Sequence, residues 1–318
     1  MAKQKIIFFV VEKGYLEEEV IMLVNSLRSL AKLDASYRLI AINPGKAKIS
    51  EKTFKKLNDL SVTYHHEHLN REYSFYPLAN KVFSASFIET TYAGQYNSLI
   101  FLDSDIIALK ALPELTRDFK IGAKPVDIQS VGINPGEPPN MFWKLVYDAC
   151  GLSMDHVWTM KTSVDLIPIN TFFNSGVIIK KADDFFRSWE DNFIRCIQDK
   201  RSFELSYEQY YFLEQAIFSS SVNAYYSKTD VLLLSNNENY PLPRHETIAH
   251  PVKSLSEISI LHYHDFIREE RYLPLIEDIQ PWIEKFEHKK PKSAHWIKRM
   301  GAIYQFQIHK LRYKYDIL

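Results

Sequence analysis

The chain has 318 residues, and 46% of them are hydrophobic, so one or two domains with a large buried core fit within it. Thirty-nine basic residues balance thirty-nine acidic ones, which leaves no global charge to attract nucleic acid or a membrane surface. The two cysteines lie far apart and form no CxxC pair, which excludes a dithiol redox motif and a thiolate zinc site and fits a reducing compartment.

The first apolar run, residues 6–11, is typical of a buried strand. Its six residues are fewer than the about 7–15 of a signal-peptide core and the about 20 of a membrane helix. Glu12 and Lys13 end the run. We therefore expect this segment to lie in the core of a cytoplasmic protein.

Strands and helices alternate in the first third of the chain. The predicted elements are strand 6–11, helix 16–30, strand 37–42, helix 50–57, strand 62–64, helix 77–94 and strand 98–102. Such alternation predicts an α/β fold with a mostly parallel sheet and helices on both of its faces.

The order changes beyond residue 120. Residues 121–170 carry glycine, proline and polar residues without clean periodicity, and we expect them to line a site or form a lid. The later predicted elements are strand 172–180, helices 183–198 and 205–218, and strands 231–234 and 258–263. The pattern from about residue 281 onward is basic and helical, so we divide the chain into a main domain, residues 1–280, and a C-terminal helical extension, residues 281–318.

An acidic turn, Asp103-Ser104-Asp105, directly follows the predicted strand 98–102. Ligands of open α/β sheets bind outside the carboxyl ends of the strands, and extended geometry points residues 103 and 105 to the same side. Two carboxylates about 6 Å apart repel by roughly 3 kcal/mol at an effective dielectric of 20, so a partly buried pair needs a cation. Oxygen ligands suit Mn²⁺ or Mg²⁺. The alternative is a solvated turn with both acids facing water.

Two histidines, His262 and His264, close the predicted strand 258–263, and alternation points both imidazoles the same way. Either could supply a neutral nitrogen ligand to the same metal, and the alternative is an ordinary polar strand end. A second histidine-rich run, residues 65–68, is interpreted as a solvated loop because its consecutive side chains point in different directions.

Three other groups have both a functional and a structural interpretation. Lys81, one turn into the predicted helix 77–94, could reach a phosphate or a sugar hydroxyl, or lie on a solvated face. Asn174-Ser175-Gly176 interrupts an apolar strand, which indicates either close approach of a ligand or a β-bulge. Glu208-Gln209 opens a predicted helix, where surface residues of this kind are ordinary.

The sequence contains no Walker P-loop, no GxGxxG and no GxSxG. It also lacks the glycine-rich, arginine-containing loop of sugar nucleotidyltransferases, in whose place residues 12–16 stand. These absences argue against three large classes of nucleotide-binding or esterase chemistry and against nucleotidyl transfer.

The chain resembles the GT-A nucleotide-sugar glycosyltransferases, most nearly glycosyltransferase family 8 and its glycogenin-like relatives. The matching segments occur in the family's order between about residue 5 and about residue 270: Asn80-Lys81, the strand ending in Asp103-Ser104-Asp105, Phe173-Asn174-Ser175-Gly176, Glu208-Gln209 and Ile260-Leu261-His262-Tyr263. The resemblance implies a Rossmann-like mixed sheet, mostly parallel and flanked by helices.

The same resemblance implies roles for individual residues. Asp103, Asp105 and His262 would hold Mn²⁺ (or Mg²⁺) against the diphosphate of a nucleotide sugar, with UDP as the expected nucleotide. The remaining donor-binding residues would be Val11, Glu12 and Tyr15 at the base, Lys81 and Ser104 near the phosphates or sugar, and Asn174 and Glu208 toward sugar and acceptor.

The chain departs from the family after the histidine. Asp265 stands at the family's glycine position, Arg268 at its lysine position, and Glu269-Glu270 replace its Pro-Trp. Arg268 would still clamp a phosphate, because guanidinium is a strong bidentate donor.

The mechanism implied is stabilisation of the leaving nucleoside diphosphate by the metal together with Lys81 or Arg268. An inverting enzyme would also need a carboxylate as general base, for which Asp127, Asp165 and Glu208 are the candidates. A retaining enzyme would not need one, and the sequence leaves both outcomes open.

The function that the sequence favours is sugar transfer from a nucleotide-diphosphate donor to a glycan, lipid-linked or small-molecule acceptor. A catalytically silent GT-A scaffold that binds nucleotide or glycan, and a nucleotidyltransferase, are the alternatives. The basic extension predicts either peripheral contact with an anionic membrane or a helix packed on the core. We expect no nucleic acid partner.

Overall fold

The computed structural model describes residues 4–110, 118–181, 183–264 and 266–286, and five residues of the tail: 304, 307, 308, 310 and 311. The strands in these ranges are β1 (Gln4–Val10), β2 (Tyr37–Asn43), β3 (Val62–His66), β4 (Tyr96–Leu102), β5 (Ile106–Ala108), β6 (Ile121–Pro125), β7 (Thr159–Lys161), β8 (Pro168–Asn170), β9 (Phe173–Lys181), β10 (Val231–Leu233), β11 (Tyr240–Pro241) and β12 (Ile260–His262). The α-helices are α1 (Tyr15–Asn25), α2 (Glu51–Asp59), α3 (Ala79–Thr91), α4 (Met141–Cys150), α5 (Phe185–Gln198), α6 (Tyr207–Tyr211), α7 (Leu213–Tyr225), α8 (Leu273–Ile276) and α9 (Gln280–Ile283).

A seven-stranded sheet in the order β10-β6-β9-β4-β1-β2-β3 forms the centre of the molecule. Its neighbours pair in parallel except at β9, which runs antiparallel to both β4 and β6. A three-stranded sheet, β11-β12-β5, and a two-stranded sheet, β7-β8, complete the topology of the described residues. The predicted α/β class with a mostly parallel sheet is confirmed.

Alternation along the central strands divides the core between the two faces of the sheet. In β1, Ile6 and Phe8 pack in one cluster with α3, α4, α5 and α7, whereas Ile7 and Phe9 pack in another with α1 and α2. Each of these side chains is almost fully buried, and burying a side chain of this size stabilises the fold by about 1.5–3 kcal/mol. Helices therefore cover both faces, as the continuous apolar strands require.

A third apolar cluster forms around the three-stranded sheet. Ile107 of β5, Leu261 of β12 and Tyr240 of β11 pack there with Tyr272 and Ile276 of the C-terminal segments. Because β5 begins directly after the turn that follows β4, this small sheet lies against the carboxyl edge of the central sheet.

Capping residues account for the ends of several helices. Ser50 caps α2 by accepting a hydrogen bond from the Thr53 N–H at 3.2 Å, as the sequence predicts. The expectation of an irregular stretch over residues 121–170 is wrong in part, since β6, α4, β7 and β8 lie within it. Asn140 caps α4 and Gly151, at φ 62°, ends it, so its boundary signals were present in the sequence.

Two further corrections concern the boundaries of a strand and of a helix. His65 and His66 belong to β3 rather than to a solvated loop, and their ring nitrogens lie 2.7 Å from the Tyr92 hydroxyl and 3.0 Å from the Gly45 carbonyl. The predicted helix 205–218 is interrupted at Phe212, which separates α6 from α7.

The C-terminal extension stays a prediction. Most of residues 281–318, including most of its lysines and arginines and also Asp265 before it, lie outside the described residues. Among the described helices, none combines the length and the apolarity that a membrane span requires.

Candidate active site

The carboxyl end of β4 lies where the central sheet meets the three-stranded sheet. The acidic turn follows β4, and β5 begins at its end. Because β9 runs antiparallel to β4, its first residues lie at the same edge, and the Asp103 N–H donates to the Gly176 carbonyl at 2.8 Å. β12 pairs with β5 and places His262 opposite Ile106. The topology thus brings the acidic turn, residues 174–176 and His262 together.

Asp105 contacts both histidines. Its Oδ1 lies 3.1 Å from Nε2 of His262, and its Oδ2 lies 3.5 Å from Nδ1 of His264. The two imidazole rings stack with their centroids 3.7 Å apart and an angle of 24° between their planes. His262 is buried, whereas 37% of the His264 side chain is exposed.

The side-chain amides of Asn174 and Asn239 fix the tautomer of His262. Their orientation is set in turn by the backbone N–H of Gly176. The Gly176 N–H donates to Asn174 Oδ1 at 3.0 Å, so that oxygen is an acceptor, and Asn239 Nδ2 donates to it at 3.2 Å. The other end of the Asn239 amide, Oδ1, lies 3.2 Å from Nδ1 of His262. Because a carbonyl oxygen only accepts, His262 carries its proton on Nδ1 and turns the Nε2 lone pair toward Asp105.

This arrangement fits a metal ion. Two electron-rich atoms, Nε2 of His262 and Oδ1 of Asp105, face each other at 3.1 Å. Burial, with His264 nearby, lowers the pKa of His262 despite the opposing effect of Asp105, so a proton on Nε2 is disfavoured. A divalent cation would satisfy both atoms. Asp105, His262 and His264 each offer a ligand atom, and these atoms lie within 4.8 Å of one another.

Gly176 is the residue that lets β9 approach this group. A Cβ at this position would lie 2.5 Å from Cε1 of His262 and 3.0 Å from Oδ2 of Asp103. Real Cβ atoms essentially never approach another atom to 2.5 Å, so a side chain here would displace the imidazole, and the contact with the carboxylate would be tighter than most real ones. The register of β6 and β9 shifts at this interruption, where Ala123 pairs with Ile178 and Lys124 with Asn174, so the β-bulge interpretation is confirmed and close approach of a ligand stays a prediction.

Lys81 contacts the other acid of the turn. Its ammonium lies 3.0 Å from Oδ1 and 3.2 Å from Oδ2 of Asp103, and it donates to the Ser175 hydroxyl at 3.2 Å. Only 11% of the Lys81 side chain is exposed, so the alternative of a solvated helix face is wrong. Burial alone would lower the pKa of Lys81, but Asp103 and Glu214 raise it, and the lysine stays charged.

Glu214, which no sequence pattern singled out, completes this group. Its Oε2 lies 3.8 Å from the Lys81 ammonium and accepts a hydrogen bond from the Ser175 hydroxyl at 3.1 Å. Burial raises the pKa of Glu214 to about 7, although Lys81 opposes the rise. The available signal was a second Glu-Gln pair, six residues after Glu208-Gln209 and inside an apolar helical run.

The predicted base-binding residues follow β1. Glu12 accepts a hydrogen bond from Asn80 Nδ2 at 2.7 Å, and burial raises the pKa of Glu12 despite that bond. Val11 is buried, and 41% of Tyr15 is exposed at the start of α1. Since Asn80 precedes Lys81, this region adjoins the acidic turn, but its role in nucleotide binding stays a prediction.

Ser104 contacts the first helix, and its predicted role in donor binding stays a prediction. Its hydroxyl donates to Oε2 of Glu19 at 2.9 Å, and Glu19 is a buried residue of α1. Ser104 therefore anchors the acidic turn to the first helix. A hydroxyl held in this way contributes to the site by fixing the turn.

The first candidate base, Asp127, is held by a neighbouring cation. Its Oδ1 lies 2.5 Å from the Lys124 ammonium and accepts from the Ser163 hydroxyl at 3.1 Å. Burial alone would raise the pKa of Asp127, but Lys124 lowers it below its usual value. Because a low pKa makes a poor base at neutral pH, this environment argues against Asp127 as a general base.

The other two candidate bases are exposed, and so is Arg268. Asp165 accepts from the Thr162 hydroxyl, and Glu208 accepts from the Ser130 hydroxyl at 3.0 Å. Arg268 donates to the Phe286 carbonyl at 2.7 Å. Among the described residues, these three make no hydrogen bond or ion pair with the acidic turn, so the structure does not bring them into the group around Asp103 and Asp105.

Comparison with known proteins identifies the family. The sequence model of the Rhodobacterales glycosyltransferase domain matches residues 7–224, more than half of the chain. No curated protein sequence matches. The solved galactosyltransferase LgtC, in complex with donor and acceptor sugar analogs, is 13% identical, and the match covers 91% of this chain and 98% of LgtC at a TM-score of 0.52. An active-site mutant of LgtC gives 14% identity, the same coverage of 91% and 98%, and a TM-score of 0.51.

At this identity the likeness to LgtC shows the fold alone, and it confirms the predicted GT-A architecture. The family match reaches further, since it extends from the first strand through the acidic turn and residues 174–176 to α7. The chain therefore belongs to the Rhodobacterales glycosyltransferase domain family and is a glycosyltransferase, as its sequence predicts.

Proposed function

We propose that this glycosyltransferase moves a sugar from a nucleotide-diphosphate donor to a hydroxyl acceptor and that it requires a divalent metal. The observation that carries the proposal is the contact between Nε2 of His262 and Oδ1 of Asp105 at 3.1 Å, with the His262 proton fixed on Nδ1. It lies at the carboxyl edge of the sheet, where α/β enzymes bind their ligands.

Asp105 and His262 would hold the metal, and Asp103 is the additional ligand expected from the sequence. The bound cation would supply charge neutralisation for the diphosphate leaving group. Mn²⁺ and Mg²⁺ both accept carboxylate ligands, and the imidazole nitrogen favours Mn²⁺ of the two.

Lys81 would add a fixed positive charge beside the same group. Its ammonium is already held by Asp103, Ser175 and Glu214, so little reorganisation is needed when negative charge develops on the leaving group. Asn174, whose Oδ1 is occupied by two donors, would present its amide nitrogen to the donor sugar.

Inversion of configuration needs a general base, and none of the three carboxylates predicted for that role is suited to it. The pKa of Asp127 is lowered by Lys124, and Asp165 and Glu208 are exposed and bonded elsewhere. Glu214, whose pKa burial raises to about 7, is the carboxylate of the site that would act as the base of an inverting enzyme. Retention by attack from the leaving-group side needs no such base.

Membership of the family decides for a transferase over the silent scaffold and the nucleotidyltransferase. Placement in family 8, UDP as the nucleotide, a cytoplasmic location and a membrane contact of the tail stay predictions. The acceptor would be a sugar or another hydroxyl compound.

The test is a transfer and donor-hydrolysis assay with a panel of nucleotide-diphosphate sugars, with Mn²⁺ and with EDTA. We expect turnover with Mn²⁺, none with EDTA, and a loss of at least about 100-fold in kcat/KM for Asp105→Asn, since even a residue that only supports a metal ligand contributes about 10–100-fold. The anomeric configuration of the product, read by NMR, distinguishes retention from inversion.

Asp165→Asn is the matched control, because it makes the same change at an exposed acid whose contact is with Thr162. Circular dichroism and thermal unfolding establish that both variants fold. Full activity of folded Asp105→Asn, or undiminished turnover in EDTA, would overturn the metal-dependent mechanism.

A further inference from the structure

His264 is the residue of the site to which neither the family resemblance nor the proposed mechanism gives a role. It lies two residues beyond His262, past the end of β12, and its backbone adopts φ 44°. This left-handed conformation is uncommon for residues other than glycine, although histidine, asparagine and aspartate adopt it more readily than most. It folds the His264 ring back over His262, with which it stacks at 3.7 Å.

The contact between His264 and Asp105 is a poor hydrogen bond. Nδ1 of His264 lies 3.5 Å from Oδ2 of Asp105, at the far limit for such a bond, whereas imidazole–carboxylate hydrogen bonds are normally well under 3.2 Å. The separation is nevertheless short enough for both atoms to bind one cation between them. The three ligand atoms of Asp105, His262 and His264 all lie within 4.8 Å of one another.

The charges around His264 also favour a cation between His264 and Asp105. Asp105 contacts it directly, and Asp127 lies close enough to interact with it electrostatically. Lys124 neutralises Asp127, and Lys81 contacts both oxygens of Asp103. Of the three acids in this region, Asp105 is therefore the one whose described contacts are both imidazoles and no lysine.

We propose that His264 is a further protein ligand of the metal, so that two imidazole nitrogens and the Asp105 carboxylate form the core of the site. The inference rests on the proposed metal-dependent function and specifies its ligands. Nitrogen ligands suit Mn²⁺ and later transition metals, whereas Mg²⁺ prefers oxygen. A site with two imidazoles therefore discriminates against Mg²⁺ more strongly than one with a single histidine.

Two substitutions remove the imidazole of His264 and preserve its backbone conformation. His264→Asn removes the imidazole, and His264→Asp replaces it with an oxygen ligand, and both residues tolerate a positive φ. His250→Asn is the control, because His250 is an exposed histidine outside the group of ligand atoms.

Binding of Mn²⁺ alone is measured by electron paramagnetic resonance of the free ion, and the ligands are identified by pulsed resonance through their ¹⁴N couplings. The wild-type protein and His250→Asn are expected to show couplings from two imidazoles. His264→Asn is expected to show one and to bind Mn²⁺ at least about tenfold more weakly. His264→Asp is expected to regain affinity for Mn²⁺ and to compete better for Mg²⁺ than wild type does.

The outcomes separate this inference from the function on which it rests. Couplings from one imidazole in wild type, or equal Mn²⁺ affinity in wild type and folded His264→Asn, would overturn the role of His264 and leave the proposed function standing. Absence of Mn²⁺ binding in wild type, with activity undiminished in EDTA, would overturn both.

Discussion

Glu214 and Asp103 both lie close to the ammonium group of Lys81. The lysine ammonium is 3.0 Å from Asp103 and 3.8 Å from Glu214, and only 3% of the Glu214 side chain is exposed. One cation facing two carboxylates leaves one negative charge in excess in a buried site. Burial is the main cause of the rise in the pKa of Glu214 to about 7, and the negative charge of Asp103 adds to it, whereas Lys81 opposes it.

Replacing Glu214 by glutamine should change how stability depends on pH. The pKa of Glu214 is about 7 in the folded state and 4.5 in the unfolded chain, so between pH 4.5 and pH 7 the folded state holds this proton and the unfolded chain does not. The contribution of Glu214 to the free energy of unfolding therefore falls as the pH rises through this range. Glutamine does not ionise. The stability of Glu214→Gln relative to wild type should therefore increase between pH 5 and pH 8, by up to about 3 kcal/mol.

Urea unfolding at a series of pH values measures this difference. Glu208→Gln is the matched control, because Glu208 is exposed and belongs to the neighbouring helix α6. Its stability curve should run parallel to that of wild type. If the Glu214→Gln curve also ran parallel, the pKa of Glu214 would not be raised in the folded protein.

The residues that the sequence could place together are those tied to strand ends. Asp103 and Asp105 follow one predicted strand and His262 lies at the end of another, and carboxyl ends of strands meet at one edge. Glu214 and Asn239 could not be found in this way. One lies inside a helix and the other in a polar loop, and their contacts depend on how distant elements pack.

At the scale of elements, the sequence predicted β9 but not its direction. Its apolar run has the same pattern whether it pairs in parallel or antiparallel, because both of its faces are buried in either case. The antiparallel direction brings residues 174–176 to the carboxyl edge of β4. Without the structure, these residues match a family motif but have no position relative to Asp103.

Adding one methyl group at Gly176 should disturb both stability and metal binding. The new Cβ would meet the His262 ring carbon at 2.5 Å and the Asp103 carboxylate at 3.0 Å. Overpacking of this kind typically costs about 1–3 kcal/mol. We expect Gly176→Ala to lose stability by that amount in urea unfolding and to bind Mn²⁺ more weakly, because His262 must move.

Gly122→Ala in β6 gives the comparison. The atoms nearest to a Cβ there would belong to the side chain and backbone of Leu232, at 3.5 Å and beyond, which is ordinary contact. Its stability should stay unchanged or rise by up to about 1 kcal/mol, since alanine restricts the unfolded chain. Equal effects of the two substitutions would show that His262 is not tightly packed against β9.

At the scale of the whole molecule, the site lies where two regions meet. The acidic turn follows β4 of the central sheet, while His262 ends β12 of the three-stranded sheet and His264 follows it. Ile106 and Ile260 of the small sheet pack in one apolar cluster with the central strands, and its other face packs in a cluster of its own. The backbone hydrogen bond from Tyr263 N–H to the Asp105 carbonyl, at 3.0 Å, is one of the contacts across this junction. A metal ion bound by Asp105 and the histidines would link the two regions to each other.

Metal and nucleotide should therefore stabilise the protein against heat. A ligand at 100 times its dissociation constant adds about 2.7 kcal/mol to the stability of the folded state, which corresponds to a rise in Tm of about 5 °C. We expect this rise with Mn²⁺ plus a nucleoside diphosphate in a thermal-unfolding assay, and a smaller one with either alone, because the metal links the diphosphate to the protein. Asp105→Asn should abolish the rise and Asp165→Asn should keep it. An equal rise in both variants would mean that the nucleotide binds without the metal bridge at the junction of the sheets.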